Sequence, residues 1–327
     1  MLGDSDIGHR VVVRRFVGLR EDRPLFSDVL GELTAATETE LTIETARGPV
    51  TVPRQDVHLA KTVPPRRRPM AAREVLALER VAAAAWPSPE VDHLGEWLLR
   101  AAEGWTGRGN SALPLGDPGR PLPAAIDAVV AWYAARDLRP TITTPLPAAA
   151  AVARELAARG WSGARPVLVQ TAKLDALLAG PETPGVQLSP TPGEDWLAVV
   201  AGRKGSLPAA ARHILSAPGQ VRFASWYPSS QELMATARGV VDGDWLGLSL
   251  VEVAPAARRQ GLAGVVMRGL AEWARDAGAT RVYLQVEEHN EAAVALYAKL
   301  GFTTHHTYVT HRAPEEPVSP GGPGGAA

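Results

Sequence analysis

The segment with the clearest chemical signature is a short loop between a predicted strand and a predicted helix. Residues 245–253 are rich in Leu and Val, and Pro255 ends this strand because proline cannot donate to a β-ladder. The loop then has the spacing Arg258-x-x-Gly261-x-Ala263. Small residues let backbone N–H groups approach a ligand closely, and a helix start carries positive dipole. The loop is therefore typical of a pyrophosphate site.

Two other phosphate-binding motifs do not fit this loop. A P-loop needs Gly-Lys followed by Ser or Thr, and the chain has no such sequence. The dinucleotide fingerprint needs G-x-G-x-x-G directly after the strand, and the glycines here do not match it. Because an isolated R-x-x-G-x-A pattern also occurs in ordinary strand–turn–helix units, its interpretation depends on the residues around it.

A second group of residues lies on the last predicted helix. Asn290 stands at the helix start, where its side chain can cap free N–H groups. Tyr297 follows two turns later and shares its face. Gly301 then matches a glycine C-cap, with Phe302 as the hydrophobic contact. A tyrosine at this place alone would be interpreted as a core aromatic. Tyr297 is therefore a candidate functional residue only together with the other motifs.

Together these segments resemble the GNAT superfamily of N-acetyltransferases over residues 186–312. The order and spacing of the motifs are specific, although each is weak alone. The whole chain is similar to tandem-GNAT acetyltransferases of actinobacteria that carry a small N-terminal β-barrel. The resemblance rests on three motifs in this order: Val253-x-Pro255-x-x-Arg258-x-x-Gly261-x-Ala263, Tyr283-Leu-Gln-Val-Glu287, and Asn290-x-x-Ala293-x-x-x-Tyr297-x-x-x-Gly301-Phe302.

The resemblance implies an acetyl-CoA-dependent N-acetyltransferase, which moves an acetyl group to a primary amine of a small molecule or protein by direct attack on the thioester. Acetyl-CoA would lie between two splayed parallel strands, 245–253 and 281–286. Backbone groups of Val251 and Val253 would hold the pantetheine arm and the thioester carbonyl. Main-chain N–H groups would hold the pyrophosphate, supplied by Arg258, Arg259, Gln260, Gly261, Leu262 and Ala263.

The resemblance also assigns roles near the thiol end of the cosubstrate. Asn290 would contact acetyl-CoA there, and Tyr297 would protonate the departing CoA thiolate. Glu252 is the first candidate for the general base, although strand alternation can turn it away from the thioester. A base can also act through water in this fold. Four other carboxylates stay open as the base: Glu287 and Glu288 at the end of the neighbouring strand, and Asp242 and Asp244 in the hairpin before the first.

The elements that position these residues divide the chain into five parts. Residues 1–62 contain short strands with Gly and Pro turns, which predict a small Src-homology-type β-barrel. A proline-bracketed basic stretch, 63–69, predicts a linker. The α/β pattern of 70–180 and 186–312 fits a GNAT fold, with a mixed sheet flanked by helices. The Pro- and Gly-rich segment 313–327 predicts a disordered tail.

The two α/β halves match each other at an offset of 141 residues, so that Trp132 falls on Trp273. We interpret 70–180 as a degenerate GNAT-like copy, in which residues 110–115 are a strand candidate, and 186–312 as the catalytic domain. The first half lacks the functional residue types at matching places, so we expect one acetyl-CoA per chain. Its counterparts to Gly261, Ala263, Asn290 and Tyr297 are Arg120, Leu122, Ala149 and Leu156.

Composition restricts the remaining possibilities. The 327 residues contain no cysteine, which excludes disulfides, a thiolate nucleophile and cysteine-ligated metals. The formal net charge of -1 is not typical of a nucleic-acid binder. No apolar run approaches the about 18 residues of a membrane span. Residues 1–10 carry charges and no apolar core, so no signal peptide is predicted and a cytoplasmic protein is expected.

Two other interpretations stay open, and a third is disfavoured. The first is a non-catalytic acyl-CoA-binding regulatory module, which would keep the cosubstrate loop without turnover. The second is a protein partner for the N-terminal barrel. The third is a metal site at His305, His306 and His311, which is disfavoured because adjacent residues on a strand point to opposite faces. No metal site is predicted.

Overall fold

The computed structural model describes residues 2–20, 23–45, 48–63, 71–180, 185–228 and 232–315. The chain forms two compact units, divided between residues 69 and 70. Most of the predicted linker and most of the predicted tail lie outside the described residues. Within the described residues, no helix combines the length and the apolar character needed to cross a membrane.

The first unit is an antiparallel sheet of five strands within the described residues, in the order β4-β3-β2-β1-β5. Alternate side chains such as Val11, Val13 and Leu33 point inward and form its small core. The second strand is the longest of the five, because it pairs along the whole of the first strand through a bulge. The strands are β1 (Arg10–Arg20), β2 (Arg23–Ala36), β3 (Glu40–Thr45), β4 (Gly48–Pro53) and β5 (Val57–Thr62).

The second unit alternates helices and strands, as the sequence predicts. Its first half contains α1 (Ala72–Ala84), β6 (Glu90–Leu94), β7 (Trp97–Ala101), α2 (Leu122–Ala134), β8 (Thr141–Leu146), α3 (Ala150–Ala158), β9 (Ser162–Gly163), β10 (Val167–Lys173) and α4 (Leu174–Leu178). Its second half contains β11 (Val186–Ser189), α5 (Glu194–Lys204), α6 (Ala209–Ser216), β12 (Val221–Trp226), β13 (Ala235–Asp242), β14 (Trp245–Val253), α7 (Leu262–Asp276), β15 (Arg281–Glu287), α8 (Glu291–Lys299) and β16 (Thr303–Arg312).

One mixed sheet organises this unit. Its order in the described residues is β11-β12-β13-β14-β15-β10-β16-β8, and β9 also pairs with β16. Strands β14 and β15 pair in parallel, whereas the other ladders between these strands are antiparallel. Helix α7 packs its buried face, including Val266, Met267 and Leu270, against one side of β13 and β14. This packing fixes the start of α7 beside the end of β14.

The two halves share this sheet by exchanging strands. Strand β10 of the first half lies between β15 and β16 of the second, and β16 in turn pairs with β8 of the first. At the offset of 141 residues, the first residue of α3 corresponds to the first residue of α8, and the last residue of α3 to the last residue of α8. This correspondence of elements supports the interpretation of the halves as degenerate copies.

One predicted strand is wrong. Residues 110–115 do not form a strand but follow a 3-10 turn over Arg108–Asn110. Only single bridges join Leu113 to Leu98 and Ala112 to Ile142. Pro114 has no N–H to extend either ladder, so the pairing stops after one residue. The buried side chains here explain the apolar pattern without a strand.

We expect a chain that begins at Met70 to fold and to bind acetyl-CoA as well as the full chain. The division into two compact units places every predicted cosubstrate contact in the second unit. Calorimetric titration of both proteins, with circular dichroism to confirm folding, checks this. A shortened protein that is folded but has lost affinity would contradict the expected independence.

Candidate functional site

The site begins where two parallel strands stop pairing. Trp245 pairs with Arg281, and the ladder continues as far as Leu248 with Leu284. Beyond this point β14 runs on to Val253 with no described partner on its β15 side. Strand β15 remains paired with β10 along its whole length. The unpaired edge of β14 therefore offers backbone N–H and C=O groups to a ligand. The predicted splay of the two strands is confirmed.

A β-bulge at this point redirects the side chains of β14. Thr236 of β13 pairs with Glu252 of β14, and Arg238 pairs with Ser249. Between these two pairs, two residues of β14 lie opposite a single residue of β13, which defines the bulge. Leu250, inside the bulge, has φ of +53°. After the bulge, Val251 and Val253 pack on the α7 side of the sheet. Glu252 therefore points to the opposite side, since neighbours alternate along a strand.

The predicted loop lies directly at the start of α7. A short 3-10 helix, Pro255–Ala257, follows β14, and Gly261 with φ of +79° forms the N-cap. No side chain caps this helix. The N–H groups of Leu262, Ala263 and Gly264 make no hydrogen bond within the described residues. The arrangement suits an oxyanion that accepts from several N–H groups.

The last helix has the predicted caps. The side chain of Asn290 accepts a hydrogen bond from the N–H of Ala293 at 3.2 Å. At the other end, Phe302 donates its N–H to the carbonyl of Tyr297 at 2.9 Å. The rings of Tyr297 and Phe302 lie 5.9 Å apart. Since Asn290 uses its oxygen for the cap, only its amide NH₂ stays available to a ligand.

Tyr297 is buried, yet its hydroxyl makes no hydrogen bond to any described residue. Burial raises the pKa of Tyr297, and the positive charge of Arg203 opposes part of the rise. The hydroxyl is therefore protonated at neutral pH, as an acid must be.

Glu252 forms an ion pair with Arg203 of α5. The same arginine acts on Tyr297 through its charge, so all three side chains belong to one electrostatic neighbourhood. Sequence reasoning did not find Arg203, because it lies on an otherwise unremarkable helix far from Glu252 in the chain.

The other candidate bases are placed less favourably. Asp242 and Asp244 lie at the hairpin end of β14, opposite to the end where the strands part. Asp244 also holds Arg281 through two hydrogen bonds of 2.7 and 2.8 Å, which lower its pKa. Glu287 is exposed and contacts His289 at 3.2 Å. Glu288 is exposed just after β15.

The histidines of β16 form an arrangement that the sequence did not predict. A bulge opposite Val169 and Gln170 interrupts the alternation, so the expected opposite orientation of His305 and His306 is wrong. Their Nδ1 atoms lie 2.8 Å apart, and His306 Nε2 lies 2.7 Å from the buried carboxylate of Glu79. Burial lowers the pKa of His305, as does the neighbouring His306. No metal-binding group of three such side chains is found among the described residues.

Comparison with known proteins gives consistent relatives. Residues 72–310 match the family described as "Probable histone acetyltransferase Rv0428c C-terminal". The protein called "Probable histone acetyltransferase Rv0428c" of Mycobacterium tuberculosis is 32% identical over 318 residues, which cover 94% of this chain and 95% of that protein. The "Uncharacterized N-acetyltransferase YobR" of Bacillus subtilis is 28% identical over 243 residues, 70% of this chain and 95% of that protein.

Solved structures share the fold at low sequence identity. A GCN5-related N-acetyltransferase from Kribbella flavida is 16% identical with a TM-score of 0.58, over 76% of this chain and 97% of its own. A tandem GNAT protein from the clavulanic acid biosynthesis pathway is 16% identical with a TM-score of 0.50, over 76% and 98%. These two likenesses concern the arrangement of the elements alone.

Proposed function

Because this chain belongs to the Rv0428c C-terminal family of GNAT-superfamily N-acetyltransferases, we propose that it transfers an acetyl group from acetyl-CoA to a primary amine by direct attack of the amine on the thioester. The observation that carries the proposal is the junction of β14 and α7. There an unpaired strand edge leads directly into an uncapped helix start. The unpaired strand edge can form hydrogen bonds with an extended molecule, and the uncapped helix start can bind an anionic group of the same molecule.

The helix start would hold the pyrophosphate. The backbone between Arg258 and Ala263 turns through the positive φ of Arg259 and Gly261, which directs successive N–H groups to one side. Arg258 and Arg259 add positive charge, since neither forms an ion pair within the described residues. Gln260 and Leu262 would contribute through the main chain.

The edge of β14 would hold the pantetheine arm and the thioester. When bound, acetyl-CoA supplies the acetyl group as a thioester. The backbone groups of Val251 and Val253 face the gap beyond Leu248 and have no ladder partner on that side. A fixed N–H donor at the bulge stabilises the negative charge that grows on the carbonyl oxygen during attack. The strain at Leu250 is of the kind found at such sites.

Two side chains would move protons. Tyr297 would protonate the CoA thiolate, whose pKa resembles that of a cysteine thiol, about 8.5. Glu252 would accept the proton of the amine, directly or through water, from the side of the sheet that it shares with α5. The ion pair with Arg203 competes with the amine for this carboxylate. Asn290 would contact the thiol end through its amide NH₂.

We expect one acetyl-CoA per chain, in the second half only. The corresponding helix of the first half, α2, begins after Pro121 and has Pro123 as its second residue. Proline has no N–H, so this start cannot supply the same donors. Calorimetric titration should give a stoichiometry near one, and incubation with a panel of amines should release free CoA. A stoichiometry of two would overturn the assignment, and tight binding without transfer to any amine would indicate a regulatory module instead.

A further inference from the structure

Two small cavities of the second unit adjoin each other on the side of the sheet opposite α7. The first lies against Leu248, Ser249 and Tyr283, beside the point where β14 and β15 part. The second extends from it across β15 toward Tyr308. Trp86 and Arg108 line both cavities and stand between them. Each has about 10 Å³ of free space, so a molecule that reached from one into the other would displace the side chains at their junction, with one end beside the gap between β14 and β15.

The second cavity is lined by two arginines and one carboxylate, so its side chains carry more positive than negative charge. Arg100 is 5% exposed and donates only to Ser111, to its carbonyl at 2.9 Å and its hydroxyl at 3.1 Å. Arg108 donates to Gln285 Oε1 at 2.7 Å, and its guanidinium lies 4.4 Å from the centre of the Trp86 ring. Neither arginine forms an ion pair with a described carboxylate.

The single carboxylate that lines this cavity is already engaged. Glu79 holds His306 at 2.7 Å, with both side chains almost fully buried. Burial lowers the pKa of Arg100, and the nearby Tyr133 and Glu79 oppose part of this shift. An unpaired buried guanidinium is costly, and a carboxylate is the group whose geometry matches its fork of donors.

The first cavity contains a hydrogen-bond acceptor for an amine at the other end of such a molecule. The hydroxyl oxygen of Ser249 is buried and has no hydrogen-bond partner. An amine at this position can donate a hydrogen bond to the Ser249 hydroxyl oxygen, and the same amine would face the gap between β14 and β15. A third arginine, Arg238, also lines this cavity, but its guanidinium is bonded to the carbonyls of Ala85, Ile214 and Leu215. The charge available to a ligand therefore comes from Arg108 and Arg100.

We propose that the acceptor is a small amine that carries a carboxylate, with the carboxylate held by Arg108 and Arg100 and the amine placed beside Ser249. This rests on the proposed acetyl transfer. The proposal also predicts a poor reaction with a lysine-rich histone peptide, because a cationic chain would meet the positive charges of Arg108 and Arg100.

The test compares amines of one length that differ in their far end, with free CoA as the readout. The panel contains 4-aminobutanoate, butylamine and 1,4-diaminobutane, together with alanine and alaninamide. Aminoethyl phosphate separates a carboxylate from a phosphate, and a histone peptide represents the cationic alternative. We expect kcat/KM for at least one carboxylate to exceed that of its matched amine by about tenfold or more. Preference for the diamine, the peptide or the phosphate would overturn the proposal.

Arg108→Gln should remove this preference, because glutamine can still donate to Gln285 but carries no charge. The ratio of kcat/KM between the carboxylate and its matched amine should fall toward one. The control is Arg154→Gln, which removes an exposed arginine that lines neither cavity. A preference that survives in Arg108→Gln would contradict the assignment.

Two further measurements distinguish a failure of the carboxylate site from a failure of the proposed acetyl transfer. Acetyl-CoA affinity is measured first by calorimetry, and its absence would contradict the proposed function itself. If no amine of the panel is acetylated, the thermal shift of the acetyl-CoA-loaded protein is compared with butanoate and butylamine. Stabilisation by butanoate that is lost in Arg108→Gln supports the carboxylate site. Equal shifts, or none, would overturn it.

Discussion

Gly261→Glu is expected to weaken acetyl-CoA binding by about a hundredfold. Two like charges 4 Å apart repel by about 4 kcal/mol at an effective dielectric of 20, and solvent at this open loop screens part of that. The new side chain itself meets no protein atom, since a Cβ built at this position has nothing within 4 Å. The loss should therefore come from the ligand that the loop binds and appear as a raised Kd in calorimetry.

The matched control is Gly278→Glu at the other end of the same helix. Gly278 has φ of +94° and, like Gly261 with φ of +79°, has open space around its Cβ position. Both variants carry the same left-handed strain of about 1–2 kcal/mol. We expect similar losses of thermal stability and unchanged affinity in Gly278→Glu alone. Unchanged affinity in Gly261→Glu would remove the loop from the cosubstrate site.

Tyr297→Phe is expected to lower kcat by about 10²–10⁴-fold, the usual contribution of general acid catalysis. The phenylalanine ring keeps the contact with Phe302, and no protein hydrogen bond is lost with the hydroxyl. Thermal stability and acetyl-CoA affinity should therefore stay close to those of the unaltered protein. Steady-state release of CoA measures the loss.

Tyr133→Phe is a suitable control, because the hydroxyl of Tyr133 is buried and donates to the carbonyl of Arg100 at 2.9 Å. Removal of that hydrogen bond should cost about 1 kcal/mol of unfolding free energy and leave turnover nearly unchanged. Tyr297→Phe should thus lose turnover and keep its stability, whereas Tyr133→Phe should lose stability and keep its turnover. Full turnover in Tyr297→Phe would mean that solvent or another group protonates the thiolate.

Local signals in the sequence predicted several elements well. The bounds of β14 agree with the predicted strand 245–253, and α8 begins after Asn290 as its capping residue indicates. The loop at Gly261 was equally readable, because a strand, a proline and small residues at a helix start are all close in sequence. Each of these features depends on residues within a few positions of one another.

Features that depend on distant residues could not be predicted. The exchange of β10 and β16 between the halves is a property of the sheet order, which no local pattern encodes. The pairs of Arg203 with Glu252 and of Glu79 with His306 join residues from separate helices and strands. The bulge at Leu250 was also invisible, since leucine is not a residue that favours a positive φ. It decides which side of the sheet Glu252 faces.

A crystal structure of the protein with acetyl-CoA would test the proposed cosubstrate site most directly. We expect one molecule per chain, with pyrophosphate oxygens about 3 Å from the N–H groups of Gly261, Leu262 and Ala263. The thioester should lie in the gap between β14 and β15, beside Val251 and within reach of the Tyr297 hydroxyl. Acetyl-CoA bound in the first half, or away from the start of α7, would show that the proposed site is wrong.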